Sequence, residues 1–461
     1  MRRQASKAKQ IHFVGIGGVG MSGIAEVLIN VGYQVSGSDL KRSDVTDRLQ
    51  RLGAKVHLGH ESSHLGEADF VVYSAAVSLS NPEIVEARKR RIPVIPRAEM
   101  LADLMRIKFG IGVAGTHGKT TTTSLIGSVL TRGGLDPTIV VGGKVKSLEA
   151  NARLGEGEYF VVEADEFDRS FLRLSPSMAV LTTLEAEHME CYTDLDDLKS
   201  AFLEFANKVP FYGSVILCVD EESLKDIVDR IERSMVTYGL SPEADVRAVD
   251  IDFVDFGSRF TIINRSEEVG RVRLKVPGLH NVKNALAAFA VGAGVEIPFG
   301  AIKEGIEEFS GVHRRFEIRG EERGVTVVDD YGHHPTEIRA TLKGARNGWD
   351  GRIVAVFQPH LYSRTWNFYR EFGQSFFDAD VLVVTDVYPA REKQMPGVSG
   401  ELVATAAKEA SHPSVLYIQE MAEIPNILSK GLKQGDLVIT FGAGDVWRVG
   451  EELLAKLKET S

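Results

Sequence analysis

The 461 residues are enough for about three domains at ~150 residues each, and 43% hydrophobic with 26% charged residues is the balance of a globular protein. A net charge of −10 offers no basic field to a phosphate backbone, so nucleic acid is not an expected partner. Two cysteines, Cys191 and Cys218, leave no disulfide framework or thiolate zinc site, and no apolar run reaches the ~18 residues of a membrane span. The opening "MRRQASKAKQ" is basic but lacks the apolar core of a secretion signal, and the expected location is the cytoplasm.

Apolar runs, glycine-rich or polar loops and helices then recur along the chain. That pattern predicts an α/β protein of mainly parallel sheets covered on both faces. The first block, residues 1–106, opens with "IHFV", a glycine run and a helix from about Met21 to Val31. "VGIGGVGMSG" places Gly15-x-Gly17-x-x-Gly20 between strand and helix, and Asp39 follows nineteen residues after Gly20. Glycines let the backbone approach a pyrophosphate, the helix start supplies oriented N–H donors, and the acid suits a ribose hydroxyl. The candidate contacts are Gly15, Gly17, Gly18, Val19, Gly20, Asp39 and Ser74. A UDP-sugar presents the same pyrophosphate and ribose as NAD, so the motif reports a nucleotide diphosphate. A tight turn with no ligand would carry the same glycines.

The second block, residues 107–311, opens with "GIGVAGTHGKTTTT". Gly118, Lys119 and Thr120 fit the end of the phosphate-loop pattern G-x-x-x-x-G-K-[ST], but Val113 stands where its first glycine belongs. Gly115 can serve from a shifted place, since glycine is needed only for a positive φ or a close approach. Backbone N–H groups from Gly115 to Thr121, with Thr116 and His117 between, would wrap phosphates. Lys119 would neutralise the β/γ-phosphates and Thr120 would offer its hydroxyl to Mg²⁺. The alternative is a helix capped by Thr116 beside an exposed lysine. "VVEADE" puts Glu163 at a strand end, where a carboxylate can hold a metal or belong to a solvated acidic loop, and "LEAEHME" puts His188 after another strand, where a lone histidine is more often a surface or satisfied core residue than a ligand. "PGLHNVKNALAA" sets Asn281 and Asn284 on one helical face, where amides can read an adenine edge or merely cap the helix.

The third block, residues 312–461, holds "VTVVDDYGHHP", "RIVAVFQPH", "DVLVVTDVYPA" and "DLVITFGAGD". Polar residues gather directly after these strands, where open α/β sheets bind ligands.

"GTHGKTT", "EADE", "EAEH", "PGLHNVKNALAA", "HRRFE", "DDYGHHPTE" and "QPHLYSRT" occur in one order, after "HFVGIGGVGMSGIA". Together they resemble the Mur ligase family across essentially the whole chain, and that family's loop reads G-T-x-G-K-[ST]. The resemblance implies three domains: a Rossmann-like UDP-substrate domain, a central P-loop ATP domain and a Rossmann-like amino-acid domain. It implies ATP-driven amide formation through an acyl phosphate, with ATP and Mg²⁺ as cofactors. It implies UDP-N-acetylmuramate and L-alanine as substrates, and a monomer or homodimer with no membrane partner.

By the same resemblance, Thr120 and Glu163 hold one Mg²⁺ and His188 the second. His280, Asn281 and Asn284 form the adenine region, Arg315 and Asp329 contact ribose and phosphate, and His333 and Arg364 serve the amino acid. Relatives often read "QPHRYTR" where this chain has "QPHLYSR", so Leu361 replaces a second arginine, for which Arg391 is a candidate substitute. Three rival readings remain. One is a recycling ligase adding a peptide to the same sugar, disfavoured by "YGHHPT". Another is an NAD-dependent oxidoreductase, which leaves Lys119 and Glu163 unexplained. The last is a non-catalytic nucleotide sensor.

Overall fold

The computed structural model describes residues 10–74, 76–106, 108–145, 150–186, 191–390 and 392–459. Three sheets run through the described residues.

The first sheet comprises β1 (Gln10–Val14), β2 (Gln34–Asp39), β3 (Lys55–Leu58), β4 (Phe70–Tyr73) and β5 (Val94–Pro96). Their order is β3-β2-β1-β4-β5 and all the pairs are parallel. The connections run outward one way from β1 and then outward the other way from β4. A crevice therefore opens beyond the ends of β1 and β4, the usual place for a ligand in such sheets. The helix Val19–Asn30 starts there, two residues earlier than its apolar pattern suggests.

The second sheet is built from β6 (Phe109–Ala114), β7 (Thr138–Val145), β8 (Ala150–Arg153), β9 (Tyr159–Glu163) and β10 (Met178–Leu181). It continues with β11 (Ser214–Cys218), β12 (Met235–Gly239), β13 (Val246–Val254), β14 (Gly257–Asn264) and β15 (Glu267–Leu274). The order is β15-β14-β13-β12-β11-β10-β6-β9-β7-β8. Strand β6 is central, flanked in parallel by β10 and β9, and Ile111, Val113 and Ala114 are fully buried. Burial on both faces explains why "FGIGVA" shows no polar alternation. Strands β7 and β8 pair antiparallel.

The third sheet has β16 (Glu317–Glu322), β17 (Val325–Asp330), β18 (Ile353–Phe357), β19 (Val381–Val384), β20 (Val415–Tyr417) and β21 (Leu437–Phe441). Its order is β16-β17-β21-β18-β19-β20, antiparallel only at β16–β17. That hairpin turns through Arg323 and Gly324 at φ 55° and 71°, the paired positive φ of a two-residue turn matching strand twist. Val328 and Phe357 pack into the core on one face, and Val327 and Val356 into the core on the other. Alternate residues thus meet separate helix layers, as the period of two requires.

The chain gathers into two compact units. One holds residues 1–249, 261–272 and 283–309, and so both the first sheet and the body of the second. The other holds 250–260, 273–282 and 310–461, with the whole third sheet. No helix among the described residues is long and apolar enough to cross a membrane.

Candidate active site

In the first unit, two glycine-rich turns follow two strand ends. After β1, the Gly15 and Ile16 N–H groups both donate to Ser38 O, at 2.8 and 3.0 Å. The Gly17 N–H donates to Asp39 Oδ2 at 2.8 Å. Gly15 needs its freedom, with φ 83°, and a Cβ there would lie 3.8 Å from Ser74 Oγ. A Cβ on Gly17 would lie 2.9 Å from Asp39 Oδ2, so Asp39 can approach the turn only because position 17 is bare. Gly18 caps the helix that Val19 opens, with no side-chain cap of its own. The structure therefore brings Gly15, Gly17, Ser74 and Asp39 together.

After β6, the helix Lys119–Arg132 is capped by Gly118 at φ 79°, not by Thr116. Thr116 is tied elsewhere. Its N–H donates to Thr183 O at 3.1 Å, and its hydroxyl lies 3.0 Å from that of Thr183. The His117 N–H donates to Thr183 Oγ1 at 2.7 Å, and the ring Nε2 stands 3.4 Å from Glu185. A Cβ on Gly115 would strike the Thr182 hydroxyl, so this glycine supplies the close approach that the displaced motif needs.

Lys119 curls back over the loop. Its ammonium donates to Gly115 O at 2.6 Å and to both oxygens of Glu166, at 2.9 and 2.7 Å. Burial pushes the Glu166 carboxyl up, to about 7, against the pull of that ammonium. Burial alone would lower the Lys119 pKa, but the charge of Glu166, with Asp165 and Glu163, raises it above its ordinary value. The Thr120 hydroxyl donates to both oxygens of Glu163, at 3.0 and 2.9 Å, and Glu163 also accepts the Gly142 N–H at 2.7 Å. A hydroxyl and a carboxylate held in contact are the hard oxygen donors that Mg²⁺ prefers. Thr121 follows in the first helical turn, part-buried. His188 lies outside the described residues.

Asn284 is found beside the turn after β6: a Cβ on Gly118 would lie 2.9 Å from its Oδ1. That placement of Asn284, a residue of the helix Leu279–Gly294, is one helical spacing alone could not reveal.

In the second unit, Asn281 donates an amide hydrogen to Pro277 O at 2.7 Å, closing the turn before that helix. The His280 ring covers Gly278, whose φ of 94° leaves the space. Arg315 donates to Glu337 Oε1 at 3.0 Å and lies over the Tyr331 ring. Asp329 is turned into the sheet, its side chain 2% exposed, where it accepts from Arg314 Nε at 2.9 Å and the Thr440 hydroxyl at 2.8 Å. Burial pushes its neighbour Asp330 up to about 6. The His333 N–H donates to Glu337 Oε2 at 3.1 Å, and its ring stands edge-on to Tyr331 and His360. Leu361 takes φ 69°, costly for a branched side chain, and caps the helix Tyr362–Gly373 that carries Arg364 in its first turn. Arg391 lies outside the described residues.

This geometry has counterparts. The family description "Mur ligase family, catalytic domain" matches residues 10–109, "Mur ligase middle domain" 113–292, and "Mur ligase, glutamate ligase domain" 314–444. A UDP-N-acetylmuramate–L-alanine ligase of Geotalea uraniireducens is 52% identical over 452 residues, covering 98% of this chain and 99% of its own. The chain belongs to the Mur ligase family. A ligase of the same name from Salinibacter ruber is 53% identical over 454 residues, 98% of this chain and 96% of its own. The solved UDP-N-acetylmuramate-alanine ligase of Thermotoga maritima superposes with a TM-score of 0.83 at 29% identity, covering 98% of this Mur ligase and 100% of itself. A murein peptide ligase from Psychrobacter arcticus reaches 0.69 at 24% identity, covering 97% and 98%, a likeness of fold.

Sequence reading passed over three groups that this Mur ligase places at its turns. Glu166 ends the same "EADE" from which Glu163 was chosen, and it takes Lys119. A Cβ on Gly20 would lie 2.7 Å from Arg97 Nη1, so a guanidinium packs on the first glycine turn; no local motif marks it. Glu337 joins Arg315 to His333. Its signal was present: His334 caps the helix Pro335–Gly348, with Pro335 and then Glu337 in the first turn.

Proposed function

We propose that this chain is an ATP-dependent ligase that joins L-alanine to UDP-N-acetylmuramate in peptidoglycan precursor synthesis. The carrying observation is the match, over 98% of the chain, to ligases of that name. Lys119, Thr120 and Glu163 stand at the P-loop in support. The reading places the enzyme in the cytoplasm, where ATP and UDP-sugars meet.

A carboxylate is a poor acyl donor because its oxygen is a poor leaving group. Transfer of the γ-phosphoryl to that oxygen releases ADP and leaves an acyl phosphate. The alanine amine then forms the C–N bond, and phosphate departs with the former carboxylate oxygen. Carboxylate and γ-phosphate repel each other, so cationic groups must offset them. Lys119 is assigned to the phosphates, where it exchanges Glu166 for a stronger anionic partner. Thr120 and Glu163 are assigned to one Mg²⁺ and His188 to a second; when bound, the metal supplies charge neutralisation. Asp39, Ser74 and the first glycine turn are assigned to the UDP moiety. Asn284 is assigned to the phosphate end, His280, Asn281 and Arg315 to the nucleotide, and His333 and Arg364 to the amino acid.

The test is ADP release with UDP-N-acetylmuramate and each of the twenty amino acids, and with a tripeptide ending in a diamino acid. The proposal expects the highest kcat/KM with L-alanine. Preference for the tripeptide would make this a recycling ligase instead.

A further inference from the structure

One carboxylate packed beside the first sheet belongs to no part of the mechanism above. Glu83, at the start of the helix Pro82–Lys89, has a fully buried side chain. Isolated, such a charge would be costly. Here two strands, β1 and β2, and the segment after β3 converge on it. The Ser38 hydroxyl donates to Oε2 at 2.6 Å. His60 Nδ1 lies 3.1 Å from Oε2, and His64 Nδ1 3.2 Å from Oε1. His12 Nε2, from β1, lies 3.5 Å from Oε1, and its Nδ1 meets the Ser36 hydroxyl at 2.9 Å. Behind His64 stand the stacked His57 ring and Glu61. Burial would push the Glu83 carboxyl up, but the nearby His12 ring and the hydrogen bond from Ser38 hold it below the usual range.

Ser38 is the connection to the substrate turn. Its carbonyl takes the N–H groups of Gly15 and Ile16, and the next residue, Asp39, takes that of Gly17. Three successive donors of the glycine-rich turn thus hang on the end of β2. His60 Nδ1 also lies 2.9 Å from Ser38 Oγ, so both grips on that hydroxyl come from this one cluster. Ser36 and Ser38 point to the same sheet face, two residues apart, as strand geometry requires.

We infer that Glu83 is a positioning residue for the UDP-sugar: through Ser38 it fixes the end of β2, and with it the turn that receives the pyrophosphate, while remaining out of reach of the ligand. The inference rests on assigning that turn to the UDP moiety.

Calorimetric titration of UDP-N-acetylmuramate and of ATP tests it, on the wild type, Ser38→Ala, Glu83→Gln, the double variant and Asp39→Ala. Ser38→Ala removes the tie at little volume cost and remains informative if Glu83→Gln does not fold. We expect Ser38→Ala to weaken UDP-sugar binding about tenfold, the scale of a lost hydrogen bond to a charged group. Glu83→Gln acts in the same direction, and the double variant should bind no worse than the weaker single one, since one path carries both effects. ATP affinity should stay within about twofold on the same scale. A merely structural role would lower the binding stoichiometry and melting temperature and leave the UDP-sugar Kd of the folded fraction unchanged. That result, or fully additive losses, overturns the inference. If Asp39→Ala weakens UDP-sugar binding but Ser38→Ala does not, the inference fails alone. Should Asp39→Ala bind like wild type, the assignment of the turn itself fails.

Discussion

The two glycine-rich turns of the first unit share one plan, strand then glycines then helix, and differ in what closes them. The turn after β1 hangs its N–H groups on the end of β2, through Ser38 O and Asp39. The turn after β6 is closed by its own lysine, folded onto Gly115 O and Glu166, with Thr120 and Glu163 bonded alongside. Under the proposed assignment the first turn would recognise its ligand through backbone shape and one acid, enough for a diphosphate whose charge does not change in the reaction. The second concentrates an ammonium, a hydroxyl and carboxylates, which a transferring phosphoryl group with Mg²⁺ requires. The second turn satisfies its charges internally, so under the proposed assignment nucleotide binding there would exchange partners.

The largest break in this comparison is Lys119→Ala. Turnover should fall ~10²-fold or more, as for other groups acting on a developing charge, with the circular dichroism spectrum unchanged. Wild-type turnover would mean the second turn is no more a catalytic site than the first. Glu163→Gln tests the metal half: the Mg²⁺ concentration for half-maximal rate should rise ~10-fold or more, as when a first-rank ligand loses its charge. An unchanged Mg²⁺ titration would move the metal away from Thr120.

Asp39→Ala sharpens the other side. UDP-sugar affinity should drop about tenfold, the scale of one charge-assisted hydrogen bond, with the ATP KM steady. Loss of ATP binding instead would exchange the roles of the turns. The smallest effect is on stability. Gly118→Ala places a Cβ at φ 79° and 2.9 Å from Asn284 Oδ1, which should cost ~1 kcal/mol or more in urea unfolding. A neutral result would mean that the loop relaxes and its geometry is not fixed by Gly118.

Much of this was legible because it is local. Lys119, Thr120 and Gly118 follow one another, and a strand before with a helix after decides what such a run can do. The same holds for Gly15, Gly17 and the helix Val19–Asn30. What escaped depends on distant partners. The pairing of Glu166 with Lys119 joins residues 47 apart, and Ser38 meets Glu83 across 45. Asn284 shows a helical period in the sequence, but its place at Gly118 is decided by tertiary packing. Strand order was equally hidden: β21 comes last in the chain and lies between β17 and β18. Asp329 reads as a ligand group at a strand end, yet the sheet turns it toward Arg314 and Thr440, while its neighbour Asp330 receives the N–H groups of Phe316 and Gly332. Both acids end buried, and a pattern of two acids does not say which partners each one takes.

The central claim is that ATP drives amide formation by activating the substrate carboxylate. Isotope transfer measures this directly. UDP-N-acetylmuramate labelled with ¹⁸O in both carboxylate oxygens is turned over with ATP and L-alanine, and the phosphate released is weighed by mass spectrometry. The account predicts one ¹⁸O in each phosphate and one retained in the amide carbonyl. Phosphate free of label, with amide product still formed, would contradict it, because the carboxylate oxygen would then never have been bonded to phosphorus.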